Sequence, residues 1–299
     1  MQKLSDHYPS YQRIFLYLFI SLVIIFSSAC SSIISSTVSS TASKMASNLS
    51  YTILNSDDPK TVADGAPAYL LLMDSFLIDG SDNPQLLQSA ASLYNAYAGI
   101  FVSQEIRAQR MSSKALSYAE QALCLSNKTF CQLRDMDFRH FSEKANLINK
   151  ENINDWYIFG SVWAGWIKAN SGSMLAIAQL PQVTLIMEKV LQIDEHWQND
   201  EAHLYLGVLN TLLPPALGGK PEQGRFHFEK VIAYSQGKNL MAKVLFAEKY
   251  ARLVFDQPLH DRLLKEVIEA DPYVENMTLM NVLAQEKAQQ LLDSSVEYF

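Results

Sequence analysis

The sequence predicts an all-α fold in which helical hairpins stack in a degenerate repeat array. Two observations carry the helical part. Apolar residues recur at helical spacing from about residue 66 to residue 293, and no stretch alternates with period two or gathers β-branched residues as a strand would. Clusters of Gly, Pro, Asn and Asp interrupt that pattern at short intervals, so successive helices are joined by tight turns.

The third observation carries the repeat. Four segments close helices in the same manner: Glu120–Ser126 (EQALCLS), Glu188–Asp194 (EKVLQID), Glu229–Ser235 (EKVIAYS) and Lys265–Asp271 (KEVIEAD). Their starts lie 68, 41 and 36 residues apart, and the first interval is two periods of about 34, the tetratricopeptide length. Upstream of three of them stands a helix rich in aromatic and small residues, at 157–169, 202–213 and 240–255. Each repeat is thus a tetratricopeptide-like pair, and Asp271-Pro272 resembles the pair that closes many such repeats. The irregular periods leave an ordinary helical bundle as the alternative.

Along the chain, Lys3 and Arg13 precede a uniformly apolar stretch, Ile14–Phe26. It is shorter than the roughly 20 residues a spanning helix needs and has the length of a signal-peptide core. Ser27, Ser28 and Ala29 then lead into Cys30, an arrangement that resembles a bacterial lipobox with Cys30 as the lipidated residue. An uncleaved anchor, or ordinary cleavage after Ala29, is the alternative. Residues 1–29 read as signal peptide, 30–59 as a Ser- and Thr-rich lipidated linker with room for a helix toward its end, and 60–299 as one helical domain. Ser31 in place of Asp after the cysteine favours the outer membrane over the inner one.

Within the domain, helices are expected at 66–78, 85–102, 107–125, 138–148, 155–169, 181–193, 200–213, 221–235, 239–256, 259–270 and 278–293. Asn83 followed by Pro84 is a helix start, and Asp155 is expected to cap the aromatic helix. Cys124 and Cys131 either bridge a tight turn or lie as two core thiols.

Removing Lys3, Arg13 and Asp6 from the totals of 24 basic and 31 acidic residues leaves 22 against 30. That balance excludes a nucleic-acid partner, whose phosphates need a basic face. Gly218-Gly219-Lys220 is not a phosphate loop, because Pro214 and Pro221 stand where glycine and a hydroxyl residue are required. The stretch is a stiffened connection, and Pro214, Pro215, Leu217, Gly218, Gly219 and Lys220 form a candidate recognition loop. The histidines show no metal-ligand spacing, no nucleophile and base are paired, and no cofactor is implied. Arg252 and Asp256, four apart, read as an ion pair. Trp156, Tyr157, Phe159, Trp163 and Trp166 either pack in the core or line an apolar cavity for a hydrophobic small molecule.

From about Leu71 onward the chain resembles the T component of tripartite ATP-independent periplasmic (TRAP) transporters, a family of tetratricopeptide-like lipoproteins. The resemblance is most specific over LLPPALGGKPEQGRFHFEKVIAYSQGKNLMAKVLFAEKYARLVFDQPLHDRLLKEVIEADP, Leu212–Pro272, and over NMTLMNVLAQEKAQQLLDSSVEYF at the end. It implies a helical-hairpin fold, a homo-oligomer that is trimeric in the family's described form, and association with the transporter's periplasmic substrate-binding protein. It also implies an apolar pore suited to a ligand such as a fatty acid. At residue level it carries only Cys30 and the Pro214–Pro221 loop. A stand-alone lipid-binding or lipid-transfer lipoprotein is the competing function.

Overall fold

Helix starts in this chain are written by short polar side chains that accept an otherwise unpaired backbone N–H, commonly with proline directly behind them. In the computed structural model, which describes residues 48–79, 82–198 and 200–299, Asp58 accepts from Thr61 N at 3.0 Å and opens α1, Pro59–Asp79. Asn83 accepts from Leu86 N at 3.1 Å and opens α2, Pro84–Phe101. The same device recurs at Asp137, Asn239 and Asp256. Besides two four-residue turns, Met174–Ile177 and Ser295–Tyr298, the helices that follow are α3 (Glu105–Ser126), α4 (Phe138–Ala145), α5 (Ile153–Ala169), α6 (Leu180–Ile193), α7 (Glu201–Asn210) and α8 (Pro221–Tyr234). They are followed by α9 (Leu240–Leu245), α10 (Gln257–Glu269) and α11 (Thr278–Asp293). The described residues contain no strand, so the fold is all-α.

Several expectations need correction. The first helix starts at Pro59, not at Ala66, because Asp58 caps it and Pro59 fits the first turn. The helix at 48–54, by contrast, falls where the end of the linker stretch left room for one. Asp155 does not cap the aromatic helix, which begins at Ile153 after Asn152; its carboxylate instead accepts from Gln88 Nε2 at 2.7 Å. Helix α7 stops at Asn210 rather than running to 213: Pro214 has no N–H to donate to Asn210 O, which accepts from Lys220 N instead. The single helix expected over 239–256 is α9 running into a π-helical stretch, Phe246–Ala251. Arg252 N there reaches back five residues to Ala247 O at 3.2 Å.

The chain divides after Ile53, and Leu54–Phe299 is one unit. Within it α2 packs on α3, α3 on α5, α5 on α6, α7 on α8 and α10 on α11. Absent side chains set some of these approaches. A Cβ on Gly207 would fall 2.8 Å from the Phe228 ring, and one on Gly224 would fall 2.9 Å from Gly207 O, so α7 and α8 close only as they are. One hydrophobic core spans α1 to α7 around Trp156, Phe159, Trp163 and Phe141; a second gathers Phe228, Phe246, Tyr250 and Leu264 from α8 to α10 with Ala288 of α11. Asn55 accepts from Asn276 N at 2.8 Å and Asp57 from the Tyr273 hydroxyl at 3.1 Å, which ties the start of this unit to the approach to its last long helix. Of the two readings of the cysteines, the structure has the bridge: Cys124 and Cys131 are disulfide-bonded around the turn at Asn127.

Candidate functional site

Two prolines and a pair of glycines shape the connection between α7 and α8. Pro214 leads into a single 3-10 turn, Pro215–Leu217, which ends on Gly218 at φ 91°, a left-handed geometry suited to glycine. Gly219 is also required, because any Cβ there would collide with Leu213 O. Gly219 N donates to Pro214 O at 3.1 Å and Lys220 N to Asn210 O at 2.8 Å, closing the loop on itself. Leu217 is left 68% exposed at its tip. The result is a rigid connection that presents an apolar side chain.

The aromatic residues of α5 do not converge on one surface. Trp156, Phe159 and Trp163 are buried; Trp156 meets Phe130 and Phe141 edge to face, Trp163 meets Phe141 in the same way, and Phe159 packs on both tryptophans. Trp163 Nε1 donates to Gln179 Oε1 at 2.7 Å. Trp166 lies at the rim, its Nε1 donating to Ser113 Oγ at 3.1 Å and its ring under the Arg134 guanidinium at 4.6 Å. Tyr157 points the other way, toward Trp197 and Tyr205, and donates to the Glu201 carboxylate. Burial raises the Glu201 carboxyl above its usual range, only partly offset by that hydrogen bond. The same burial raises both tyrosine hydroxyls, so they stay protonated donors. Cys30 lies outside the described residues.

Other polar groups are committed to holding helices together. Asp74 of α1 accepts from Tyr94 of α2 at 2.6 Å and from Lys114 and Tyr118 of α3 at 2.5 and 2.9 Å. Burial pushes its carboxyl up, but the three donors together outweigh that and hold it low. His203 and His227 share a hydrogen bond between their Nδ1 atoms at 2.8 Å. Burial, with the neighbouring His203, pulls His227 down to about 4. Arg252 is not paired with Asp256 as expected: it reaches His260 Nε2, Leu291 O and Ser294 Oγ, while Asp256 caps α10. Sequence spacing alone could not find these sets, because each joins side chains from different helices, whose mutual approach the local pattern does not fix. The 3.6-residue periodicity that places Tyr94 and Tyr118 on inward faces is the one signal that hinted at them.

Taken together these features define an all-α helical module whose prominent side chains pack, pair or cap, with one rigid loop standing out from it. The chain belongs to the TRAP transporter T-component family, whose model matches residues 55–299, the helical unit almost from end to end. It is therefore a TRAP transporter component, associated with the cell envelope. No curated protein matches it.

Proposed function

We propose that this protein is the lipid-anchored accessory of a TRAP transporter, binding the periplasmic substrate-binding protein and holding or passing a hydrophobic ligand. Family membership over residues 55–299 carries the reading. The helices work as a single domain of tetratricopeptide-like hairpins in a degenerate array; the close approach of α7 and α8 at Gly207 and Gly224 supports this. The rigid loop from Pro214 to Lys220, with Leu217 projecting, is suited to partner recognition, since a preordered loop loses little entropy on docking. Trp166, at the rim of the buried aromatic cluster, is the member of the aromatic helix open to a ligand role.

The tether is a lipid on Cys30 that faces the fold into the periplasm from the outer membrane. The Cys124–Cys131 disulfide supports an oxidising compartment. The protein assembles as a homo-oligomer, a trimer by family resemblance; the apolar face of α1 that carries Leu71 and Phe76 supports a self-association surface.

Pull-down of the full chain from its native membrane is expected to recover a TRAP substrate-binding protein, and Leu217→Asp to lower that recovery at least tenfold with the fold intact. Recovery of bound acyl chains but no such partner, from folded protein, would favour the stand-alone lipid-binding function instead.

A further inference from the structure

Helices α1, α2, α3 and α5 bring three connections to one end of the molecule. α2 and α5 run side by side in the same direction: Gln88 Nε2 donates to Asp155 Oδ1 at 2.7 Å near their starts, and Lys168 Nζ to Gly99 O at 3.4 Å near their ends. α1 runs against α2, since Tyr94 donates to Asp74 while Leu77, further along α1, gathers with Leu87 and Ala90. The start of α1 at Pro59, the turn from α2 into α3 and the exit from α5 therefore share this end.

Large apolar side chains stand there on connections, where polar residues are the rule. Ile106, in the first turn of α3, is 72% exposed; Met174 and Leu175, in the short turn after α5, are 80% and 79% exposed. An open cleft of about 510 Å³ is lined by Gln104, Glu105, Ile106, Arg107 and Arg110. Glu105 accepts from Gln109 Nε2 at 3.1 Å. Arg107 lies over the Tyr97 ring at 5.6 Å, and among the described residues neither it nor Arg110 pairs with a carboxylate. Two guanidiniums therefore stay free beside exposed apolar groups, on a chain in which acidic residues outnumber basic ones.

Apolar tips flanked by free arginines suit a partner whose outer layer is phosphate and whose interior is hydrocarbon, because a guanidinium matches phosphate geometry and its stem lies along apolar surface. The path of the chain favours the same partner. It enters the helical unit at Leu54 and opens α1 at Asp58, so a tether from Cys30 arrives at this end. We propose that this end of the fold docks on the phospholipid surface, with Ile106, Met174 and Leu175 in the head-group boundary and Arg107 and Arg110 on lipid phosphates. The proposal rests on the reading of Cys30 as the lipid anchor and adds to it a contact made by the folded domain. The tether alone leaves the domain free to turn; the docked end fixes which end faces the bilayer and points the start of α5 away from it.

The test is fluorescence of the full chain, isolated from its native membrane in detergent and reconstituted into vesicles of phosphatidylcholine and phosphatidylglycerol. A polarity-sensitive dye is carried on Ile106→Cys, on Leu175→Cys or, at the opposite end of α5, on Lys150→Cys; all three positions are exposed, so the fold tolerates the label. With a nitroxide lipid in the vesicles, the dyes at positions 106 and 175 are expected to lose roughly half of their emission or more, since interfacial apolar groups sit about 5–10 Å into the head-group boundary. The dye at position 150 should keep its emission. Arg107→Gln with Arg110→Gln should lower the quenching at position 175 by about twofold or more, as expected for the loss of two basic groups near a lipid surface. Vesicle-bound protein in which neither dye is quenched, or all three are quenched alike, overturns the docking face and leaves the lipid anchor standing. Quenching at position 175 that survives the loss of both arginines unchanged removes them from the phosphates and overturns the proposal as stated. Folded protein recovered free of the vesicles overturns both the anchor and the face.

Discussion

His227 shows what a single side chain contributes through its surroundings. Its ring sits between Phe226 and Phe228 in sequence, but the group that matters is His203, brought to 2.8 Å from α7. Burial and this neighbour depress its pKa to about 4, below the 6.5 of an unperturbed histidine. Between those values the unfolded chain binds more protons than the folded one, so the stability from a neutral His227 is complete above pH 6.5. It is lost as pH falls toward 4. Because solvent reaches part of the ring, a loss of about 1 kcal/mol is expected between pH 7.5 and pH 5. Denaturant unfolding across that range measures it, and His227→Asn should flatten the profile; an unchanged slope would remove His227 as its source. Lys168 and Glu201 belong to this scale too: burial holds the first below its usual range and the second above it.

For the elements, the sequence was most legible where a local rule acts alone. Asn83-Pro84 and Asp58-Pro59 fix helix starts by capping and by proline's fixed φ, and the first of these was readable directly. Asp155 misled because the residues that cap helices also accept hydrogen bonds from neighbouring helices; only the position of Gln88 shows which role it takes. The π-helical turn at Phe246–Ala251 was invisible, since its apolar pattern fits an unbroken α-helix and the extra residue shows only in the hydrogen bonds. Helix pairing makes a prediction of its own. Gly207→Val would place a branched side chain where a Cβ already lies 2.8 Å from Phe228. It should cost about 1–3 kcal/mol by overpacking, measured by thermal unfolding, whereas Gly172→Ala, with nothing within 4 Å, should leave stability nearly unchanged.

At the level of the whole molecule, α1 poses the question of assembly. Its inward line, Ala66, Leu70 and Leu77, is buried, and Asp74 pins it to α2 and α3. Leu71, Phe76 and Ile78 are nevertheless 70%, 52% and 79% exposed. On the proposed homo-oligomer, Leu71→Glu with Phe76→Glu should convert the assembly to monomer in light scattering, with helicity and unfolding midpoint little changed. A variant that kept its mass would exclude this face as the interface. The link of Asn55 and Asp57 to Asn276 and Tyr273 belongs to the same level, joining residues more than two hundred positions apart.

The amino-acid order by itself determined the all-α class, most helix positions, the exclusion of a phosphate loop and the family, because periodicity, caps, turn residues and the Leu212–Pro272 stretch are all local in sequence. Tertiary structure alone decided three further matters. It joined Cys124 to Cys131, it buried most of the aromatic helix and left Trp166 at the rim, and it gathered Lys249 and Lys287 around the Glu248 carboxylate. The physical reason is common to them: bonding, electrostatic and packing energies depend on distance in space, and side chains acquire those distances only when the elements that carry them pack together.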